Sequence, residues 1–229
     1  MIAVSLIGYK NSGKTTLGVS LARELKARGR SVSVVKHAGH FTEPEGADTA
    51  QYKAVADMVV GISEGETLVS WPKERPLLEL LPLIKTDVLL VEGGKKLGYL
   101  PRIVILGEKD GELEAEELSR GLALAVVRKG TADPAALAGL ILDKGFLLPG
   151  LSCGACERKG CTQLTREIVA GTASFEECVV TGGGTVTIKV DGAELAVNPF
   201  VARFMASGLR GMLSELKGFS PGTIEITLE

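Results

Sequence analysis

The run Gly8-Tyr9-Lys10-Asn11-Ser12-Gly13-Lys14-Thr15 matches the pattern G-x-x-x-x-G-K-[ST], which wraps polyphosphate. Its glycines let the backbone curl until successive N–H groups converge on phosphate oxygens. A helix beginning where the loop ends adds positive potential. Lys14 is placed for the β- and γ-phosphates and the Thr15 hydroxyl for Mg²⁺. Gly8, Asn11, Ser12, Gly13 and Thr16 complete the expected phosphate-binding set. Farther along, Asp87-Val88-Leu89-Leu90-Val91-Glu92-Gly93 is an apolar strand ending in a carboxylate. At the carboxyl end of a parallel strand such an acid stands over a nucleotide crevice. Glu92 would hold Mg²⁺ through water or position the attacking water. His37 and His40 are the two histidines of the chain, three apart after a strand in Lys36-His37-Ala38-Gly39-His40-Phe41. Contact with a ligand or metal and an ordinary polar loop role are both open for them. Asp48, in Gly46-Ala47-Asp48-Thr49, is read as a helix cap, as an Mg²⁺-side carboxylate, or as both.

A second constellation is Cys153-x₂-Cys156-x₄-Cys161-x₁₆-Cys178, which contains all four cysteines. Three are close enough in sequence to wrap one face of a compact centre. The fourth returns after a helix expected over Thr162–Ala170, with Gly171 ending it. Clustering of this kind in a reducing compartment argues for metal rather than disulfides. Four thiolates suit a [4Fe–4S] cluster and equally suit structural zinc. Spacing alone does not separate them, although a single C-x₂-C unit, rather than two, leans towards iron–sulfur.

The elements that must position these residues follow from hydrophobic patterning. Short apolar runs alternate with amphipathic segments up to about residue 145, the signature of an α/β fold with a mainly parallel sheet covered by helices. Strands are expected at Ile2–Ile7, Ser31–Lys36, Met58–Ile62, Asp87–Val91, Ile103–Leu106 and Ala123–Val127. Helices are expected at Lys14–Arg28, Thr49–Ala56, Leu77–Leu83 and Pro134–Asp143, with Asp133 as N-cap of the last and Gly29 closing the first. After Pro149-Gly150 comes the cysteine segment, then Gly182-Gly183-Gly184. The tail is read as a strand (Thr185–Val190), a turn at Asp191-Gly192, a core-facing helix (Pro199–Leu216) and a strand (Thr223–Leu228). The resulting division is 1–146 for the P-loop NTPase domain, 147–181 for the four-cysteine module and 182–229 for a short α+β segment. With 45% apolar residues, the 229-residue chain has material for a sizeable core. A net charge of −2 with 24% charged residues gives no reason to expect nucleic acid or an anionic membrane as partner. No apolar run reaches membrane-spanning length, and the apolar start lacks the basic segment of a signal peptide, so a cytoplasmic location is expected.

In order over residues 8–103, the runs G-Y-K-N-S-G-K-T-T, K-H-A-G-H-F, P-E-G-A-D-T, V-E-G-G-K and P-R-I resemble the molybdopterin-guanine dinucleotide biosynthesis protein B family, MobB-type P-loop GTPases. The resemblance implies a GTP-binding, weakly hydrolysing, usually dimeric accessory factor in molybdenum or tungsten cofactor maturation. Its partners would be molybdopterin and a cofactor enzyme or biosynthetic protein. Lys14, Thr15, His37, His40, Asp48, Glu92 and Lys95 fall on the family's motifs. Gly94 stands where members commonly carry an aromatic residue. No N-K-x-D guanine-reading motif is found, since Glu108-Lys109-Asp110 is out of register. GTP over ATP therefore rests on the resemblance alone. Leu-Pro-Gly-Leu-Ser-Cys-Gly-Ala-Cys-x₄-Cys, followed by E-I-V-A-G and a last Cys, is similar to the small [4Fe–4S] domain of the Rnf complex B subunit and of corrinoid iron–sulfur proteins. Glu157-Arg158 depart from that pattern and are expected to tune the cluster's surroundings. Besides a GTPase carrying a [4Fe–4S] module, two functions compete: an NTP-gated iron–sulfur reductase or metallochaperone, and a non-catalytic scaffold binding nucleotide and zinc.

Overall fold

The computed structural model describes residues 1–38, 48–182, 188–190, 193–195, 199–219 and 224. Its main sheet has five parallel strands: β1 (Ile2–Ile7), β2 (Val32–Lys36), β5 (Val88–Glu92), β6 (Arg102–Leu106) and β7 (Ala123–Arg128), ordered β2-β5-β1-β6-β7. The register of the first three gathers the chemistry. Glu92 at the end of β5 pairs with Lys36 on one side and Leu6 on the other. The loop leaving β1 and the cation ending β2 therefore flank one carboxylate.

Helix α1 (Lys14–Ala27) presents Leu17, Leu21 and Leu25 at every fourth position. They pack with Leu137, Ala138 and Ile141 of α5 (Pro134–Lys144) on Val4, Leu6, Val88 and Leu90. Each fully buried leucine contributes about 1.5–3 kcal/mol. The helix ends as its sequence demands: Gly29 N–H reaches the Lys26 carbonyl at 2.9 Å and Arg30 N–H the Leu25 carbonyl at 3.1 Å. Asp133 starts α5 by accepting from Ala135 N–H at 2.9 Å. On the other face, Ala3, Leu89, Val91 and Leu100 meet Leu77 of α3 (Leu77–Leu80), which tightens into a 3₁₀ turn at Leu81–Leu83. Ile7, Val104 and Leu106 meet Leu118 of α4 (Glu112–Ser119), a helix that sequence patterning missed.

One expected sheet member lies elsewhere. After α2 (Asp48–Lys53), β3 (Val59–Ile62) pairs antiparallel with β4 (Thr67–Ser70) in a separate two-stranded hairpin. Half-burial on alternate residues of β3 suits a ribbon with one wet face, whereas β1, β5 and β6 are buried almost throughout.

The cysteine segment holds α6 (Cys161–Val169) and α7 (Val179–Gly182). The tail holds an antiparallel pair, β8 (Ile188–Val190) and β9 (Ala193–Leu195), and α8 (Pro199–Ser214). The turn at Asp191-Gly192 and the strand expected over Thr223–Leu228 lie outside the described residues. Phe204 and Met212 of α8 are 72% and 66% exposed, so the expected core-facing role does not hold for them. Among the described residues the tail offers this helix only the two-strand ribbon of β8 and β9, too little surface to cover its length.

The cysteine segment is seated on the main domain. Phe146, Leu148, Leu164 and Cys178 form one apolar cluster, against which Tyr99 packs. Leu148 N–H donates to the Tyr99 carbonyl at 2.8 Å, and Arg166 of α6 donates to the Arg120 carbonyl at 2.8 Å. Thr162 occupies the space where a side chain on Gly98 would go. Pro149-Gly150 belongs to this seam: a Cβ on Gly150 would lie 2.7 Å from Leu78 and 3.1 Å from Tyr99.

Candidate functional site

The phosphate loop spans the gap between β1 and α1. Gly8 is required by close approach, since a Cβ there would strike the Ser12 hydroxyl and the Ile105 carbonyl. Gly13 takes φ 92°, the left-handed turn that starts α1. The Ser12 hydroxyl is buried with no hydrogen-bond partner, an orphaned polar atom in a curl of backbone. Such a cradle fits polyphosphate.

Side chains from four segments meet beside it. The Thr15 hydroxyl donates to Glu92 Oε1 at 2.8 Å, and Lys36 Nζ lies 3.4 Å from the same oxygen. Lys14 Nζ donates to the Tyr9 carbonyl at 2.5 Å. Lys95 Nζ lies 4.1 Å from the centroid of the Tyr9 ring, a cation–π contact. Burial pulls the Lys14 pKa below its ordinary value; the Glu92 carboxylate opposes that shift, and Lys95 and Lys36 add to it. Three lysines around one carboxylate leave an excess of positive charge suited to a polyanion. Tyr9 is pinned by its hydroxyl donating to Glu117 Oε2 at 2.7 Å. That bond, then burial and nearby acids, pushes its pKa up to about 12, so the phenol keeps its proton.

Lys14, Thr15, Glu92 and Lys95 are thus brought together. The His37 backbone N–H donates to the Glu92 carbonyl at 2.8 Å, and its side chain packs against Gly93 and Gly94. Asp48 opens α2, with its side chain outside the described set, and His40 lies outside the described residues.

Sequence reasoning missed Lys36 as a partner of Glu92, and it missed Arg102. That arginine, only 1% exposed, donates to the carbonyls of Leu118 at 2.7 Å, Leu97 at 3.0 Å and Lys95 at 3.4 Å. It thereby fixes the loop that carries Lys95. Burial, then Arg120 and Arg166, lowers its pKa to about 10, which keeps it charged at neutral pH. The third omission is a crevice of about 260 Å³ beside the phosphate loop, where Ser12, Gly13 and Thr16 face Arg128, Lys129 and Gly130 at the end of β7. Asp110 does not face it as a guanine-reading acid would. Its carboxylate accepts from Gly107 N–H at 2.7 Å and closes a turn.

All four cysteines line one cavity, with Leu151 and Val179 at its rim. Left-handed backbone at Ser152 (φ 46°), Gly154 (φ 71°) and Glu157 (φ 63°) coils the first two cysteines around it. Ser152 N–H points to Cys161 Sγ at 3.4 Å. Arg158 closes the coil: it donates to Glu167 at 2.7 Å, Glu177 at 2.6 Å and the Cys156 carbonyl at 3.1 Å. Bonds to Glu177 and Glu167 raise its pKa, while Arg158 lowers that of Glu167. For Glu177 the Ser174 backbone bond leads and Arg158 follows, again downward. The clamp therefore holds above the ordinary carboxylate range and releases as pH falls through the lowered values. Four thiols around one cavity are a donor set that fits a metal centre, an iron–sulfur cluster and a zinc ion alike.

Residues 3–129 match the family described as Molybdopterin guanine dinucleotide synthesis protein B, more than half of the chain. The chain belongs to this family. Residues 148–180 match a second family, described as "Putative Fe-S cluster". A "Putative molybdopterin-guanine dinucleotide biosynthesis adapter protein" of Methanocaldococcus jannaschii is 28% identical across 100% of this chain and 98% of its own length. A "Probable molybdopterin-guanine dinucleotide biosynthesis adapter protein" of Bacillus subtilis is 36% identical over 55% of this chain and 76% of its own. A crystal structure of Bacillus subtilis MobB aligns with 64% of this chain and 99% of that one, at 28% identity and TM-score 0.48. The family expected from the ordered motifs is the one found, and the α/β architecture with an added cysteine module is the one observed. No helix among the described residues is long and apolar enough to cross a membrane.

Proposed function

We propose that this chain is a nucleotide-driven adapter of molybdopterin-guanine dinucleotide biosynthesis that binds GTP with Mg²⁺, hydrolyses it slowly and carries a [4Fe–4S] cluster. The observation that carries the reading is the Thr15–Glu92 contact at 2.8 Å, ringed by Lys14, Lys36 and Lys95. The phosphates lie in the loop from Gly8 to Thr16 and the nucleoside in the crevice before Arg128-Lys129-Gly130. Thr15 and Glu92 would hold Mg²⁺, which neutralises phosphate charge when bound. Glu92 orients water for attack on the γ-phosphorus. The bond from that phosphorus to the β–γ bridging oxygen breaks, giving GDP and inorganic phosphate, and the proton of the water passes to phosphate. Cys153, Cys156, Cys161 and Cys178 would hold the cluster, which supplies one-electron transfer. The chain acts as a homodimer in this reading, supported by exposed Val60, Ile62, Leu68 and Val69 on the β3–β4 hairpin.

Glu92→Gln tests the assignment. It is expected to slow GTP hydrolysis about a hundredfold while leaving GTP affinity nearly unchanged, because the lost interaction counts mainly in the transition state. Single-turnover hydrolysis beside calorimetric binding separates the two, and equal loss in both would make Glu92 structural. The seam yields a second expectation. The loop from Glu92 to Gly98 runs from the phosphate site to Thr162, next to Cys161. A non-hydrolysable GTP analogue is expected to shift the cluster's midpoint potential relative to GDP, and cluster reduction to change nucleotide affinity by the same factor. Unchanged potentials in cluster-loaded protein would show that the two parts act independently.

A further inference from the structure

A second cavity, of about 620 Å³, opens at the carboxyl end of β2, where Lys36 and His37 face Trp71, Lys73, Arg75 and Leu77 of the β4–α3 segment. Its size falls in the range of small-molecule sites. Three features define what it would take. The floor is rigid and apolar, since Leu77 is buried in the core with Leu89 and Val91 and Val35 packs against them. One wall is aromatic: Trp71 is held with the Arg75 guanidinium 5.7 Å from its ring centroid, and Arg75 is tied to Glu79 at 3.1 Å. The rim is cationic, with Lys36, Lys73 and Arg75 against the single acid Glu74. Lys36 already shares Glu92 with Thr15. Lys73 has no hydrogen bond or ion pair among the described residues. An apolar floor and an indole face select a flat ring, and the free ammonium selects an acidic group at its edge.

We propose that this cavity binds a planar nitrogen heterocycle bearing a phosphate, as a second ligand beside the triphosphate of the phosphate loop. Purine mononucleotides and phosphorylated pterins share that chemistry. Through Lys36 and Glu92 the bound anion lies one side-chain contact from the triphosphate site, so the two ligands sense each other's charge. The inference rests on the proposed function only in assigning the triphosphate to the phosphate loop.

The test uses the full chain with its phosphate loop saturated by a non-hydrolysable GTP analogue. GMP, 6-hydroxymethylpterin phosphate, uncharged 6-hydroxymethylpterin and inorganic phosphate are titrated by calorimetry. Fluorescence of Trp71, the one tryptophan of the chain, is followed in parallel. At least one phosphate-bearing heterocycle is expected to bind and to alter Trp71 emission, with both controls at least about tenfold weaker. Lys73→Ala is expected to weaken that binding about tenfold while leaving GTP-analogue affinity unchanged. Preference for GMP assigns the site to a mononucleotide, and preference for the pterin assigns it to a phosphorylated pterin. The proposal is overturned if neither heterocycle binds, if inorganic phosphate binds as tightly, or if Lys14→Ala rather than Lys73→Ala abolishes the signal. Binding of a heterocycle by a chain that fails to bind triphosphate would refute the proposed function and leave this inference standing.

Discussion

Lys14→Ala is expected to leave a folded protein that no longer turns over GTP. The substitution removes an ammonium aimed along the loop and disturbs no core cluster, because the apolar stripe of α1 is Leu17, Leu21 and Leu25. Burial lowers the pKa of Lys14, and Glu92 counters that shift, so the group is a partly desolvated charge of the kind that binds phosphate strongly. Losing two charge-assisted hydrogen bonds costs about 3 kcal/mol or more, on the order of a hundredfold in affinity. Lys36 and Lys95 would retain some attraction for the polyanion, but neither extends from the loop itself. Calorimetry with GTP and steady-state phosphate release measure the two losses. Turnover at the unmodified rate would remove the phosphate loop from the mechanism.

Protein prepared without oxygen is expected to contain about four iron and four sulfide per chain, and Cys156→Ser to contain less than about a tenth of that. Serine keeps the size of the side chain, but its hydroxyl does not ionise near neutral pH and makes a poor ligand. The fold itself is also at stake. The apolar cluster under the cavity is small, with Phe146, Leu148, Leu164 and Cys178 as its buried members. With so little core, the segment would draw stability from the proposed cluster. Thermal unfolding followed at the cluster's visible absorbance is therefore expected to show an early transition in Cys156→Ser that the parent lacks. Zinc without sulfide in the parent protein would replace the cluster with a structural ion.

The main sheet was legible because β1, β5 and β6 are continuous Val, Ile and Leu runs, the pattern of strands covered on both faces. The same rule misplaced Val59–Ile62, a short apolar run that propensity alone cannot assign to one sheet or another. Its partner β4 follows Glu64-Gly65-Glu66, a short glycine-bearing link of the kind that joins hairpin strands. Helix α4 escaped because it is rich in Glu and buries only Leu118. At the site, Lys14 and Thr15 could be read because strand, loop and helix are contiguous in the chain, and Glu92 because it is the carboxylate that ends an apolar strand. Lys36 reaches Glu92 only through the register of β2 on β5, and Arg102 matters only through three carbonyls that the fold carries to it. Pairings of that kind leave no mark in local sequence.

Gly98 bears on how this chain can diverge. Thr162 fills the place of any side chain at position 98, so adding even a methyl there requires a smaller residue or a displaced α6 on the other side. The two positions are 64 residues apart in sequence (162 − 98) yet are obliged to change together for as long as both parts are carried on one chain. A family member without the cysteine segment is released from that restriction at the corresponding position. Exchanging the main domain for one that puts a side chain at position 98 would bring a clash at this pair.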